Sequence, residues 1–347
     1  MRRVILFLCL VLLLALPAAA VEMEAPAAPD SVAGIVPEKA DSFGEGLWNV
    51  IRKTIGALDG SLSEAAGSCL AVSAVVILCA VIRQIAPSLS EGVVNVACTA
   101  AVAGSVLSAS SSLITLGIGT VREISEYGKL LLPVMTGALA ALGGATSSTA
   151  LYVGTAFFDS VLSTLISRLM EPMLYLFLGL SIGYAALGED LLAQLRDFVK
   201  WALTWILKIL LYTFTGYMAI TKAVSGSADA AAVKAAKITI SGAVPVVGGI
   251  LSDASETVLS GVGVLRSTIG IYGVLTVIAL FLTPFLKIGI QYLMLKAVSA
   301  LCGAFDKGGA GRLLGDFSAA LGLLLAMVST QTVLQLVSTV CFLKGVG

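Results

Sequence analysis

The feature that most constrains this sequence is a series of long stretches without a charged side chain. Residues 65–82, 92–121 and 130–158 are each apolar and uncharged over 18 residues or more. About 20 consecutive apolar residues let an α-helix cross the hydrocarbon core of a bilayer. Only 12% of all residues are charged, roughly half the share that is usual in a soluble domain. The fold class is therefore predicted to be all-α, a polytopic transmembrane helical protein.

The expected number of membrane spans is eight, with seven or nine as alternatives. The ambiguity comes from residues 143–149, a run of small and hydroxylated residues that predicts either tight helix packing or a break in a helix. Residues 122–129 contain several charged side chains and are expected to connect two spans. Five further spans are expected at residues 172–188, 201–221, 267–286, 288–305 and 317–343.

The amino terminus has the pattern of a secretory signal peptide over residues 1–20. Arg2 and Arg3 precede an apolar stretch at residues 4–16, and three alanines follow Pro17 as an A-x-A-like cleavage site. An uncleaved anchor is the alternative. Both interpretations place the next segment on the extracytoplasmic side of the membrane.

Residues 21–64 are expected to form that extracytoplasmic segment. Prolines at positions 26, 29 and 37 predict an extended beginning, and an amphipathic helix is predicted from Asp41 onward, lying on the membrane surface or against a partner. A second amphipathic stretch, residues 189–200, leads into Trp201 and Trp205, aromatic residues that suit a lipid–water interface. The apolar face of the first helix is formed by Phe43, Leu47, Val50, Ile51, Ile55 and Leu58.

The distribution of basic residues gives an expected orientation through the positive-inside rule. With Glu64 outside and eight spans, a small majority of basic residues falls on the inside. The inside set is Arg83, Arg168, Lys222, Lys234, Lys237, Arg266, Lys307 and Arg312, and the outside set is Arg122, Lys129, Arg196, Lys200, Lys287 and Lys344.

Residues 222–266 form an Ala/Gly-rich segment between the amino-terminal spans, within residues 65–221, and the carboxyl-terminal spans, within residues 267–347. Its uncharged part, residues 238–252, is short for a span and contains Gly242, Pro245, Gly248 and Gly249. A helix followed by a broken apolar stretch and a second helix is a pattern that fits a re-entrant loop lining a polar cavity. The pattern fits a connector buried in protein equally well.

Three ionisable residues lie inside or beside expected spans: Lys208, Lys296 and Asp159. A charge at that depth costs on the order of 3 kcal/mol on insertion scales, so such a residue usually faces protein or water. For Lys208 the alternative is that the long side chain reaches back to the interface. For Lys296 the alternative is that residues 288–305 form an interfacial helix that does not span the membrane. Together with the four residues of the broken stretch, these are the candidate pore-lining or intramembrane polar residues.

The residue types argue against an enzyme. The chain has no histidine, the commonest general base and metal ligand, and no H-E-x-x-H or G-x-S-x-G motif. The cysteines form no C-x-x-C pair and are interpreted as small packing residues. No cofactor, metal or nucleic acid is expected as a ligand. Small residues at positions 101, 104, 108 and 111 predict close helix contact, within the chain or between copies in a homo-oligomer.

The stretches VSGSADAAAVK at 224–234, ISGAVPVVGGI at 240–250, SDASE at 252–256, GIYG at 270–273 and TPFLKIG at 283–289 are distinctive. With the leader and the multi-pass body, the sequence from about Asp41 to the carboxyl end resembles the stage III sporulation protein AE family of endospore-forming bacteria.

The resemblance implies a function. Members of that family act with other stage III A sporulation proteins, among them ring-forming subunits and a cytoplasmic ATPase, and with a forespore channel protein. The expected function is that of a non-enzymatic subunit of a channel or secretion-like complex in the mother-cell membrane around the forespore, needed for forespore development after engulfment. The family supplies no catalytic residue to carry over. A stand-alone secondary transporter is the alternative.

Overall fold

The described part of the chain consists mainly of long α-helices. The structure is a computed structural model, and it describes residues 25–36, 43–85, 90–142, 145–243, 248–305 and 309–344. For residues 59, 91, 222–243, 248–267, 304–305 and 344 it describes the backbone alone. The helices are α1 (Phe43–Gly56), α2 (Asp59–Ile85), α3 (Glu91–Ala141), α4 (Ala145–Leu165), α5 (Glu171–Leu187), α6 (Asp190–Ala243), α7 (Gly248–Phe305) and α8 (Ala310–Lys344).

Local sequence explains how α4, α5 and α6 are joined. A π-helical turn, Ile166–Met170, links α4 to α5. Pro172 has no N–H to donate to the preceding turn, which favours a wider turn at this point. Helix α5 then ends at Gly188, whose φ of 73° is in the left-handed region that glycine adopts without strain. The Gly188 N–H donates to the Tyr184 carbonyl oxygen at 2.8 Å, and α6 begins two residues later.

Six helices in the described part are long and apolar enough to cross a membrane, so the expected count of eight is not confirmed. Two differences account for the lower number. The expected span at 130–158 is divided between the end of α3 and the beginning of α4, and the expected spans at 267–286 and 288–305 form one continuous helix. Helix α4, the π-helical turn and α5 count together as one candidate span. The six candidate spans are Gly60–Ile85, Gly92–Ala141, Ala145–Leu187, Asp190–Thr221, Thr268–Gly303 and Ala310–Leu343.

The prediction that residues 122–129 connect two spans is wrong, because they lie inside α3. With 51 residues, α3 is about 76 Å long at 1.5 Å per residue. A bilayer's hydrocarbon core is only about 30 Å thick. The uncharged residues 92–121 are therefore long enough to cross it, and the charged residues can project beyond it without ending the helix.

The ends of the helices alternate between two ends of the bundle. Asn95 at the start of α3 donates to the carbonyl oxygens of Ala185 and Ala186 at the end of α5, at 3.1 and 3.0 Å. Ser299 Oγ near the end of α7 donates to the Gly311 carbonyl oxygen at the start of α8, at 2.7 Å. Five basic side chains lie at this end, which we call the basic end: Arg83, Arg196, Lys200, Lys296 and Arg312.

This arrangement corrects the orientation derived from eight spans. That derivation put Arg196 and Lys200 on the opposite side of the membrane from Arg312. In the structure the guanidinium groups of Arg196 and Arg312 both lie over the ring of Tyr184, 5.1 and 5.6 Å from its centroid. The orientation differs because the chain has six candidate spans and not eight. With six crossings, the start of α6 and the start of α8 lie at the same end.

Helix α8 lies at the centre of the bundle, and α6 lies at its edge. In the most apolar part of α8, 61% of the residues are buried inside the bundle, against 22% in α6. Helix α8 packs against α7, α3 and α4. The outer surfaces of α2 and α6 instead expose large apolar side chains, among them Leu70, Ile77, Trp201 and Ile209. Exposed apolar surface of this kind fits contact with lipid or with another protein.

Residues 25–36 lie against the helices. Ser31 Oγ donates to a carboxylate oxygen of Glu123 in α3, and the Ala28 N–H donates to the hydroxyl of Tyr272 in α7 at 3.3 Å. A helix, α1, is present where the amphipathic helix was predicted, and it packs on α7. Its buried residues are Gly46, Val50 and Thr54, whereas Phe43 and Ile55 of the predicted apolar face are exposed. The first segment is thus fixed to the bundle at two places.

Several sequence-based predictions fall outside the described residues. They include the signal peptide at residues 1–20, Pro37, Gly143, Gly144 and Pro245. On either side of residues 244–247, the backbone of α6 continues to Ala243 and that of α7 begins at Gly248. Gly242 therefore lies at the end of α6, and Gly248 and Gly249 lie in the first turn of α7. Whether this pair of helices re-enters a membrane stays a prediction.

Candidate functional site: polar side chains inside and at the end of the bundle

Asp159 is the candidate residue that the structure places deepest in the bundle. It lies on α4 and is only 1% exposed. Its carboxylate accepts two hydrogen bonds, from Ser125 Oγ of α3 at 2.6 Å and from Gln331 Nε2 of α8 at 2.5 Å. One carboxylate therefore joins three candidate spanning helices. Both donors are neutral, so Asp159 is held by hydrogen bonds and not by an ion pair in the described part of the chain.

More buried polar side chains continue from Asp159 along α8. Thr155, one turn before Asp159, shares a hydrogen bond of 2.6 Å with Ser338. Gln335 lies between Gln331 and Ser338 and is fully buried, yet neither atom of its amide group has a hydrogen-bond partner among the described residues. We call Ser125, Thr155, Asp159, Gln331, Gln335 and Ser338 the Asp159 cluster.

The Asp159 cluster combines one carboxylate with amides and hydroxyls. Such a set accepts and donates hydrogen bonds, and it holds the register of α3, α4 and α8 because each helix contributes at least one member. Gln335 keeps hydrogen-bonding capacity in the bundle interior, where an unmet polar group costs about 1–3 kcal/mol. Within the described residues, no group of three His, Cys, Asp or Glu side chains is placed to hold a metal ion.

Sequence reasoning missed the α8 members of this cluster. Gln331, Gln335 and Ser338 recur at four- and three-residue spacing, which puts them on one face of a helix. Uncharged polar residues do not interrupt an apolar stretch as charges do, so attention to charges alone passed over them. Their common face inside an expected span is the signal that could have identified them.

The structure separates the other candidate residues from Asp159. Lys208 is exposed on the outer surface of α6, where its ammonium group lies 5.9 Å from the centroid of the Trp205 ring. Lys296 is also exposed, but it borders a cavity of about 500 Å³ at the basic end. Asp159, Lys208 and Lys296 thus occupy three different places and form no common site.

A second cavity, of about 800 Å³, lies where residues 25–36 cross α3 and α7. Arg122, Glu123 and Glu126 of α3 border it, together with Ser31. Arg122 also forms an ion pair with Glu171 of α5 at 3.7 Å. The charges expected to mark a loop therefore form a polar surface between helices.

A polytopic bundle with a polar interior is compatible with many membrane functions, and comparison with known proteins narrows the choice. The sequence model of the stage III sporulation protein AE family matches residues 40–345. This match includes all six candidate spans. The chain belongs to the stage III sporulation protein AE family.

A curated member of this family, "Stage III sporulation protein AE" of Bacillus subtilis (strain 168), is 26% identical over 168 residues. The aligned part covers 48% of this chain and 42% of the relative. No solved structure matches. As a stage III sporulation protein AE family member with several apolar helices, the chain is a multi-pass membrane protein of sporulation.

Proposed function

We propose that the chain is a non-enzymatic membrane subunit of a channel or secretion-like complex that links mother cell and forespore. The observation that carries the proposal is the family match over all six candidate spans. The proposed location is the mother-cell membrane around the forespore. The proposed partners are other stage III A sporulation proteins, including ring-forming subunits and a cytoplasmic ATPase, together with a forespore channel protein and further copies of this chain.

The proposed orientation has the basic end in the cytoplasm. The ends of α5 and α7 both lie at the basic end, where five basic side chains fit the positive-inside rule for a cytoplasmic side. A cleaved signal peptide or an anchor would start residues 25–36 on the other side of the membrane. Residues 25–36 contact Glu123, which lies far along α3 from Asn95, and Tyr272 of α7; both contacts are compatible with this orientation.

Gene deletion in an endospore-forming host tests the proposal. We expect asymmetric division and engulfment to proceed normally and development to stop afterwards, with spore formation restored by the full chain supplied in the mother cell. Expression restricted to the forespore should not restore it. Normal spores from the deletion strain would reject the proposal.

A stand-alone secondary transporter is the second candidate, and the buried carboxylate of Asp159 is the observation that favours it. Ionisable residues inside membrane bundles often mark ion or substrate pathways. Uptake by the purified chain in liposomes, abolished by Asp159→Asn, would support the transporter. If the purified chain catalyses no uptake although it complements the deletion strain, the complex subunit is favoured.

Residues 238–252 and Lys296 stay candidates for the lining of a water-filled path. Single cysteines placed through this stretch and at position 296 test the idea in assembled complexes. Reaction with water-soluble thiol reagents at periodic positions would support a lining role. Uniform protection from both sides would reject it.

A further inference from the structure

The cavity at the basic end lies where four helices meet. Its wall includes Tyr184 near the end of α5, Arg196 and Lys200 near the start of α6, Lys296 near the end of α7, and Arg312 and Asp316 at the start of α8. Its volume of about 500 Å³ is within the range of small-molecule sites, roughly 300–1,000 Å³. The family relationship gives this cavity no function.

Two arginines in the cavity wall are fixed in position. Arg196 Nη1 forms an ion pair with Asp316 Oδ2 at 2.9 Å, and its side chain is only 15% exposed. Arg312 Nη1 donates to the Tyr184 hydroxyl at 3.2 Å, and its guanidinium group lies over the same ring as that of Arg196. Tyr184 therefore holds two guanidinium groups beside one cavity.

Positive charge exceeds negative charge in the cavity wall. Four basic side chains and one acidic side chain line the cavity. The acidic side chain, Asp316, is already paired with Arg196. Lys200, Lys296 and Arg312 form no ion pair with any carboxylate in the described ranges. These three charges come from three different helices, so their convergence results from the tertiary fold. Like charges that face one cavity repel one another unless an anion lies between them.

The surroundings of the cavity indicate which kind of anion fits. Guanidinium and ammonium groups together are typical partners of phosphate oxygens. On the same stretch of α6 that supplies Arg196 and Lys200, Phe198 stacks on Trp201 with ring centroids 5.9 Å apart, and Trp201 is 56% exposed. Exposed tryptophan is typical of the headgroup level of a membrane, where basic pockets between helices bind anionic headgroups.

We infer that the cavity at the basic end binds a phosphate group, with Lys200, Lys296 and Arg312 as its direct ligands. Arg196 acts as a positioning residue, because its ion pair with Asp316 keeps the starts of α6 and α8 together. The source of the phosphate group is the headgroup of an anionic phospholipid or a free phosphate compound. The inference does not depend on the proposed role in a complex, since binding is a property of the isolated chain.

Binding to the purified full chain in a neutral detergent tests the inference. The probes are phosphatidylglycerol, phosphatidylcholine and inorganic phosphate, the last against chloride at equal ionic strength. The measurements are the melting temperature and the number of retained lipids by native mass spectrometry. We expect phosphatidylglycerol to bind saturably and to raise the melting temperature, and phosphatidylcholine to do neither.

Variants locate the binding in this cavity. Lys200→Gln, Lys296→Gln and Arg312→Gln should each weaken phosphatidylglycerol binding about fivefold, as expected for one basic side chain at an anionic surface. Lys208→Gln is the matched control, because Lys208 is an exposed lysine on the same helix as Lys200 and lies outside the cavity wall. Lys200→Gln serves as the main variant if the other two unfold, since Lys200 is exposed and makes no ion pair in the described residues.

The possible outcomes separate the sources and can reject the site. Loss of phosphatidylglycerol binding in the cavity variants alone, without an effect of inorganic phosphate, identifies the lipid headgroup. Stabilisation by inorganic phosphate that the same variants lose identifies a free phosphate compound. If Lys200→Gln and Lys208→Gln bind equally well, or if phosphatidylcholine binds as tightly as phosphatidylglycerol, the inference is wrong.

Discussion

Asp159 stabilises the bundle at the scale of a single residue because two other helices donate hydrogen bonds to it. Ser125 and Gln331 are themselves almost completely buried, so each depends on Asp159 for the partner that water would otherwise supply. The carboxylate is thus an acceptor shared by α3 and α8. Removing it leaves two buried donors without an acceptor.

Asp159→Leu should therefore destabilise the protein more than Asp159→Asn. Interhelical hydrogen bonds in membrane proteins contribute about 0.6 kcal/mol on average and at most about 1.7, so the loss of two predicts about 1–3 kcal/mol. Asparagine keeps one acceptor for Gln331 and offers its amide to Ser125, and we expect its cost to stay below about 1 kcal/mol. Thermal unfolding of the purified variants in detergent measures both. Equal stability of the two variants would contradict this role of Asp159.

The sequence predicts Asp159, Lys208 and Lys296 as a set, since each is an ionisable residue in or beside an apolar stretch. It does not predict that only Asp159 points inward. That outcome depends on which face of each helix meets its neighbours, and the period of α6 places Leu203 and Leu207 inward and Lys208 outward. When a helix is apolar on most sides, its own sequence does not determine which side faces the bundle. The packing of the neighbouring helices determines it.

Pairs of helices approach closely where one of them carries a glycine. At Gly154 of α4 an added Cβ would lie 1.9 Å from Cε1 of Tyr217, whose hydroxyl donates to the Ala150 carbonyl oxygen at 3.0 Å. The ring of Tyr217 thus occupies the place of a side chain at position 154. This contact sets the distance between α4 and α6.

Gly154→Ala should destabilise the protein, because the methyl group displaces the Tyr217 ring and its hydrogen bond. Overpacking of this kind typically costs about 1–3 kcal/mol. Gly137→Ala in α3 is the matched control, since an added Cβ there meets nothing within 4 Å, and alanine in a helix interior is favoured over glycine by about 0.5–1 kcal/mol. Melting temperatures of both variants in the same detergent measure the difference. Similar shifts in both variants would contradict the packing between α4 and α6.

The helical elements follow from the sequence more closely than their boundaries do. An uncharged stretch of the sequence overlaps each of the six candidate spans, although several spans also contain charged residues, such as Lys208 and Lys287. Charged residues 122–129 and Lys287 were expected to end helices and do not, because a charged side chain leaves the backbone hydrogen bonds of a helix intact. Gly188 ends α5 because it adopts a left-handed backbone conformation. Proline does not by itself mark a boundary in this chain, since Pro133 and Pro284 lie inside α3 and α7.

At the scale of the whole molecule, alternation of the six candidate spans brings five basic side chains to the basic end and places the Asp159 cluster in the interior. Helix α8 joins the two regions, since it carries Arg312 and Asp316 at its start and Gln331, Gln335 and Ser338 further along. One continuous helix, α8, therefore borders the cavity at the basic end and also supplies part of the polar interior. The number of crossings decides this arrangement, because two additional crossings would place the starts of α6 and α8 on opposite sides.

Thiol labelling from each side of the membrane tests this arrangement most directly. Single cysteines at Ser90, Glu189 and Ala141 are introduced into a chain whose six native cysteines are replaced, and the cysteine-free chain is the control. A membrane-impermeant reagent is applied to intact protoplasts and to inverted vesicles. We expect positions 90 and 189 to be labelled from the same side and position 141 from the other. Labelling of positions 90 and 189 from opposite sides would contradict the six-span arrangement and restore the eight-span alternative.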